Sequence, residues 1–384
     1  MTKKEFKTAE SVLPGHPDKM ADIIADSILD EILQRDKTAR VACEVFVSKG
    51  YIIVGGEITT RAKIDFNSLV RNELKEIGYD HPDYGFDYRT VAVLTTISQQ
   101  SPDIARGVRK TATKKQGAGD QGISIGYATK ETKAFIPLPI FYAHLLAKRL
   151  FVARKRKILP YLRPDGKTEV VFEYENGRPK RLDTVIIAAQ HNPEVPIKKI
   201  QKDIIQKVIK PVCLPFLDSK TKFYINNTGR FVIGGPVSDT GMTGRKNVVD
   251  NYGPEIPIGG GSFSGKDPTK VDRSGAYMAR YIAKNVVAAN LAEKCLVEIG
   301  YVIGGTKPVS LRIDTFQTAK VKEEKIQRAI EKIFDLSPGG IIIQLDLLRP
   351  IYKETACFGH FGRNESSFTW EKTDKRELLR KLCK

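Results

Sequence analysis

The chain has 384 residues and a formal net charge of +18, with 41% hydrophobic and 28% charged residues. That length can bury a substantial core in two or three domains, and the balance is that of an ordinary soluble protein. The first residues lack a hydrophobic signal region and no apolar run is long enough to cross a bilayer, so the expectation is a cytoplasmic protein without membrane contact.

The five cysteines (Cys43, Cys213, Cys295, Cys357, Cys383) have no C-x-x-C spacing and read as reduced thiols. The lysines are spread along the chain rather than gathered on a tail, so nucleic acid is not an expected partner. The cluster Lys148, Arg149, Arg154, Lys155, Arg156 and Lys157 reads as a solvated helix face.

In chain order, Gly15-His16-Pro17-Asp18-Lys19 opens an amphipathic helix through Met20, Ile23, Ile24, Ile28 and Ile32, with Pro17 suited to the first helical position. His16 and Asp18 therefore sit at a helix N-terminus, which favours anions. Asp18 reads equally well as a plain first-turn aspartate. Two β-rich runs, 41–47 and 51–59, follow and carry Glu44 and Glu57 within apolar surroundings, where a carboxylate needs a partner. A helix over 66–77 closes the unit.

The same helix–hairpin–helix order returns roughly 130 residues later, a repeat of domain size. It comprises a helix over 140–153, strands 169–174 and 182–189 about an Asn176-Gly177 turn, and a helix through Ile197, Ile200, Ile204 and Val208. A third copy reads 273–296, 298–303, 310–316 and 323–334. The expected fold class is α+β: three structurally related α/β domains, each a sheet with helices on one face. The apolar strand stretches 52–54 and 185–187 are candidate partner-facing surfaces.

Segments outside the repeat hold the glycines and unusual polar residues, where sites concentrate. Gly117-Ala118-Gly119-Asp120-Gln121-Gly122 matches a dinucleotide fingerprint, but it precedes a strand-like run, 123–127, instead of a helix, so the match reads as false. Asp120 is either an accessible site carboxylate or a turn residue. Asn226-Asn227-Thr228-Gly229 is a hairpin turn by composition, and Arg230 and Phe231 are either a clamp for a base or a structural pair. Arg245-Lys246, flanked by glycines, suit phosphate. So does Gly259-Gly260-Gly261-Ser262-Phe263-Ser264-Gly265-Lys266-Asp267-Pro268-Thr269-Lys270, which combines flexible backbone with two lysines. It is not an ordinary P-loop: Asp267 replaces the metal-binding hydroxyl, and the preceding proline-rich run cannot be a strand. The chain has no G-x-S-x-G, no H-E-x-x-H and no histidine pair with metal spacing.

These segments, together with Ser101-Pro102-Asp103-Ile104 and Gly359-His360-Phe361-Gly362-Arg363, resemble the S-adenosylmethionine synthetase family over nearly the whole chain. The resemblance implies three domains about a pseudo-threefold axis: 1–102 N-terminal, 120–233 central and 234–384 C-terminal, with a mobile active-site loop at 103–119. It implies attack of the methionine sulfur on C5′ of ATP, then hydrolysis of the expelled triphosphate to phosphate and pyrophosphate. A thioether carries no proton, so the inventory need contain no strong base; it must align the reactants and stabilise leaving charge.

By resemblance, His16, Lys167, Arg245, Lys246, Lys266 and Lys270 surround ATP or its phosphates, and Ser262 also lies at ATP. Asp165, Arg230, Phe231 and Asp239 hold the adenosine part. Glu57, Gln100 and Asp120 surround methionine, with Asp239 and Lys270 beside it. His16, Lys167, Arg245, Lys266 and Asp120 are the expected catalytic set. Asp18 and Asp272 take two Mg2+ ions per site and Glu44 one K+. The implied assembly is a homo-oligomer, a tetramer built as a dimer of dimers with sites between subunits. The competing readings are an ATP-dependent kinase or NTPase on the glycine–lysine loop and a basic binding protein.

Overall fold

The computed structural model describes residues 3–101 and 115–384. Residues 102–114, which include most of the expected mobile loop at 103–119, lie outside the described residues. The part that follows is anchored: Ala118 N–H donates to Gly305 O, and Gly304 N–H to Ala118 O, each at 2.8 Å.

Strand β1 (Lys4–Val12) leads into helix α1 (Pro17–Arg35). His16 caps that helix, its Nδ1 accepting from the Asp18 N–H at 3.2 Å. The hairpin β2 (Arg40–Ser48) and β3 (Tyr51–Thr59) turns at Gly50, whose φ of 89° suits glycine. Helix α2 (Phe66–Ile77) then carries the chain to β4 (Ala92–Ser98), which joins β3 in parallel.

After β5 (Gly122–Thr129) and α3 (Leu138–Lys155), the strands β6 (Leu162–Glu175) and β7 (Arg178–His191) form the long second hairpin. Its turn residues Asn176 and Gly177 both have positive φ, the type the Asn-Gly pair predicts. Helix α4 (Ile197–Ile204) runs on into a π-helical turn, Ile205–Ile209. Pro211 explains that turn: it offers no N–H to Lys207 O, which instead accepts from Arg149 Nε at 2.9 Å. Strand β8 (Lys222–Ile225) and the two-residue β9 (Gly241–Met242) precede α5 (Val271–Ala288), β10 (Lys294–Tyr301), β11 (Ser310–Asp314) and α6 (Glu323–Ile333).

The expected elements of all three copies are present, in three sheets ordered β4-β3-β2-β9, β1-β6-β7-β8 and β11-β10-β5. The units interleave. β1 pairs antiparallel with β6 of the second unit, and β5 with β10 of the third. One core joins the first and third units through α1 and α5. Gly126 lets α5 close on the sheet, since a Cβ there would lie 2.0 Å from the Ala279 carbonyl carbon. A second core, including Leu146, Leu150, Phe172, Val185 and Ile200, fills the space under α3 and α4.

Four expectations change. Helix α1 is not simply amphipathic, because Pro17–Leu29 is buried on every side, charges included. Ile52, Val54, Val185 and Ile187 face the cores, leaving only Ile53 and Ile186 of those stretches half-buried on the other face. The 148–157 cluster is not all solvated face: Arg154 and Lys155 reach the carbonyls of Ile77 and Glu76, capping α2. The turn at Asn226 is real, with Gly229 N–H on Asn226 O at 2.8 Å, but it makes no hairpin. The chain returns to His191, which brackets Phe231 by two hydrogen bonds. All five cysteines are buried free thiols, as expected.

Candidate active site

Asp18, Asp22 and Asp26 recur every fourth residue along α1, so they share one face. Each accepts a backbone amide from a loop that returns to the helix. Met242 N–H reaches Asp18 at 3.1 Å, Gly244 N–H reaches Asp22 at 2.9 Å, and Gly265 N–H reaches Asp26 at 2.8 Å. This stripe stitches both cation-bearing glycine segments to the helix. Arg273 completes it with a two-pronged pair to Asp26 at 2.7 and 2.9 Å. Gly265 is required there, with φ of 78° and a Cβ position 2.0 Å from Cys43 O.

The amides of the glycine–lysine loop are therefore not all free for a ligand. Gly265 serves Asp26, and Gly260 donates to Ile123 O at 2.8 Å. Gly261 alone borders open space. Helix α5 begins at Val271, beyond Lys266, so the segment is indeed no P-loop. Likewise Gly117–Gly122 runs into strand β5, and its likeness to a dinucleotide fingerprint is false.

A first group of expected site residues gathers at the start of α1. Lys246 Nζ lies 2.6 Å from Asp18 Oδ2, and Arg245 Nε 3.7 Å from Oδ1. Burial alone would raise the Asp18 carboxyl, but the Lys246 and Met242 hydrogen bonds outweigh it and hold it below its usual range. His16 is 2% exposed, and burial, then Lys246 and Lys167, lower it to about 4. The imidazole is thus neutral. Since Nδ1 accepts from the helix, its proton sits on Nε2, 3.9 Å from Asp239 Oδ2. Asp165, raised to about 6 chiefly by burial, accepts from Gly235 N–H at 2.8 Å through Oδ2, while its buried Oδ1 has no hydrogen-bond partner among the described residues. Arg230 is exposed beside Phe231.

A second group lies around the start of α5. Lys266 pairs with Asp272 in the first turn of the helix, the carboxylate being 8% exposed. Glu44 faces outward from β2 near Lys266. Enclosure by neighbouring protein raises its carboxyl, Lys266 opposes, and Asp22 and Glu57 add to the rise. Glu44 and Glu57 alternate onto the open face of the hairpin, where both are exposed, so the expected need for a partner does not arise. Gln100 lies at the Glu57 end of the sheet: Glu57 is opposite Ser98, and Gln100 N–H donates to Thr59 Oγ1 at 3.1 Å. Asp120 is exposed and accepts from Gln121 N–H at 2.8 Å. Gly119 N–H on Thr269 O at 2.9 Å sets Asp120 near Lys270. Lys270 itself is buried on Asp267, which also accepts from Val41 N–H at 2.7 Å and from both Thr269 donors.

Ser262 stands where the two cation-bearing segments meet, its Oγ buried without a hydrogen bond and only 2.5 Å from where a Gly244 Cβ would be. Among the described residues, no hydrogen bond or ion pair links a member of the first group to the second. Nor does any cluster of three His, Cys, Asp or Glu side chains suited to a metal occur among them. Sequence reading missed Lys19, Asp22, Asp26, Asp250, Asp267 and Arg273, although the Asp18, Asp22, Asp26 spacing was a signal.

Two carboxylate–lysine pairs and a neutral histidine with a free donor nitrogen are a set suited to an anionic ligand held by charge and positioning. Family models for S-adenosylmethionine synthetase match the chain in three parts: the N-terminal domain over 4–102, the central domain over 115–231 and the C-terminal domain over 233–372. The S-adenosylmethionine synthase of Syntrophobacter fumaroxidans is 54% identical over 379 residues, covering 98% of this chain and 97% of the relative. That of Desulforudis audaxviator is 53% identical, with 98% of both chains covered, and that of Finegoldia magna 54%, with 99% of both. The chain belongs to the S-adenosylmethionine synthetase family; it is a methionine adenosyltransferase that makes S-adenosylmethionine from ATP and methionine. As such it is a nucleotide-using enzyme that needs a divalent metal.

Proposed function

We propose that the two groups are the halves of one active site, contributed by two copies of the chain. His16, Lys167, Arg245 and Lys246 from one copy and Lys266 from the other surround the triphosphate. Asp165, Arg230, Phe231 and Asp239 hold the adenosine, Ser262 lines the ATP site, and Glu57, Gln100, Asp120, Asp239 and Lys270 surround methionine. The observation that carries this reading is the pairing of each expected metal carboxylate with its own lysine, Asp18 with Lys246 and Asp272 with Lys266, in groups that share no hydrogen bond or ion pair among the described residues.

Asp18 and Asp272 each fit one Mg2+, because magnesium commonly takes one or two carboxylates and completes its shell with phosphate and water. Glu44, facing outward with Asp22 and Glu57 nearby, fits one K+ by its hard oxygen donor. Bound magnesium supplies charge neutralisation on phosphate oxygens. The chain's own residues do the rest. The methionine sulfur forms its bond to C5′ as the C5′–O bond breaks, and the electron pair leaves on the triphosphate. His16 Nε2–H and the lysines receive that charge, and the buried Asp165 Oδ1 offers an acceptor to an adenosine donor.

The assembly proposed is a homo-tetramer, a dimer of dimers, in the cytoplasm, without nucleic acid. Exposed Tyr51, Leu94 and Met242 on the open face of the first sheet support an apolar contact with a second copy. No helix among the described residues is long and apolar enough to cross a membrane. The domain divisions 1–102, 103–119, 120–233 and 234–384 belong to this proposal. Family membership leaves no room for the kinase or basic binding-protein readings. Mass spectrometry of products from ATP, methionine, Mg2+ and K+ tests the reaction, expecting a sulfonium with phosphate and pyrophosphate. ADP as the product would overturn it.

A further inference from the structure

Arg245 and Lys246 lie between two anchors, and both end on one buried charge network of α1. On one side, Gly244 N–H donates to Asp22 Oδ1 at 2.9 Å, and Thr243 is held to the β2 edge by its N–H on Val45 O at 3.0 Å. On the other, the short helix Asn247–Asp250 ends in Asp250, whose carboxylate pairs with Lys19. Lys19 Nζ also donates to Asp22 Oδ2 at 2.9 Å, which closes the circuit. All three side chains are at most 5% exposed. A buried ion network of this kind is weak evidence for stability, since apolar replacements of similar volume often serve as well. Its geometry matters more: one ammonium ties together the two ends of the segment that carries the cations.

We propose that Lys19, Asp22 and Asp250 are positioning residues that fix the backbone on either side of Arg245 and Lys246 and so aim these cations at the triphosphate. The inference rests on the reading that those cations hold the triphosphate. Lys246 now spends its ammonium on Asp18. If a metal ion takes Asp18, Lys246 can transfer to a phosphate oxygen by side-chain rotation alone only while its backbone stays in place. A loose segment would have to be ordered again at each turnover, at the expense of binding.

The test is steady-state kinetics of Asp22→Asn, with inorganic tripolyphosphate as the substrate for hydrolysis and with ATP plus methionine for synthesis. The expected result is a KM for tripolyphosphate raised about tenfold, with the KM for methionine at saturating ATP unchanged. In an Arg245→Ala, Lys246→Ala background the same substitution should add almost nothing, because it acts through those two cations. A purely structural role would lower kcat with the folded fraction and leave both KM values alone. That outcome, or full multiplication of the two effects, overturns the proposal. Should Asp22→Asn fail to fold, Asp250→Asn is measured with the same expectations. If Lys246→Ala itself leaves the tripolyphosphate KM unchanged, the reading of the cations fails instead, and the two failures are distinct.

Discussion

Lys246 Nζ and Asp18 Oδ2, 228 positions apart in sequence, meet at 2.6 Å where α1 begins. The carboxylate is buried while the ammonium keeps some access to water. An expected metal ligand thus already carries a cation that can move to the phosphates.

Asp18→Asn removes the charge partner of Lys246 and, on the proposed reading, turns an anionic metal ligand into a neutral amide. Turnover is expected to fall by about 100-fold or more, as for loss of a charged group acting on a developing anion. Stability should change little, because Lys246 can turn to solvent. Steady-state rates across a magnesium titration check this, with partial recovery expected at high metal. Wild-type rates in the variant would remove Asp18 from the site.

The three-unit repeat was legible because helix and strand periods are local, and so was the place of His16 and Asp18 at the start of α1. The strand exchanges were not. Nothing in the sequence of β1 says that it joins β6, since pairing depends on how units face one another. The burial of Asp22 and Asp26 was hidden for a related reason. On a helix wheel their spacing reads as a wet face; only the loops returning at Gly244 and Gly265 turn it into an interior one. The glycine loop shows the converse. Its composition suggested amides for phosphate, yet Gly260 and Gly265 spend theirs on Ile123 and Asp26.

Glu371 is the hub of the third unit. It takes both prongs of Arg280 at 3.0 and 2.9 Å, pairs with Lys284, and accepts from Gly362 N–H at 2.9 Å. Arg280, fully buried, also holds the carbonyls of Tyr127, Ala134 and Phe135. Glu371→Gln leaves those cations without a counter-charge, at a cost of about 3–5 kcal/mol. Calorimetry should show Tm falling by about 5 °C. A fall of under about 2 °C would mean the hub relaxes to water.

His144 is buried against Ser11, Nδ1 to Oγ being 2.9 Å. Burial, then Arg363 and Lys19, lower it to about 3 from an ordinary 6.5. The unfolded chain therefore takes up the proton first. Stability from this group is complete above pH 6.5 and is lost as pH falls toward 3. Asp30, raised to about 7 mainly by burial, runs the other way: its cost grows as pH rises from 3.8 to 7. The difference between wild type and His144→Gln isolates the histidine. The variant should lose most Tm at pH 7.5, and the gap should narrow steadily by pH 4.5. A gap independent of pH would contradict a neutral buried imidazole.

If two copies build each site, lesions in opposite groups should complement. Asp18→Asn damages the first group and Lys266→Ala the second, so each homo-oligomer carries only broken sites. In a mixed two-fold dimer, one site collects both lesions and the other none. Each mixed dimer has one sound site of two, so about half of wild-type activity should return in the mixed species. Two lesions in the same group, Asp18→Asn with Lys246→Ala, should restore nothing, because every site then carries one. Co-expression with two affinity tags and assay of the doubly purified species measures this. A site built within one chain predicts no recovery in either pairing. The open face of the first sheet gives a second handle: Leu94, 53% exposed there, should tolerate Leu94→Glu as a folded chain while the dimer weakens. Sedimentation of that variant as a monomer with full activity would leave the two groups to be joined within one copy, and the shared site would be wrong.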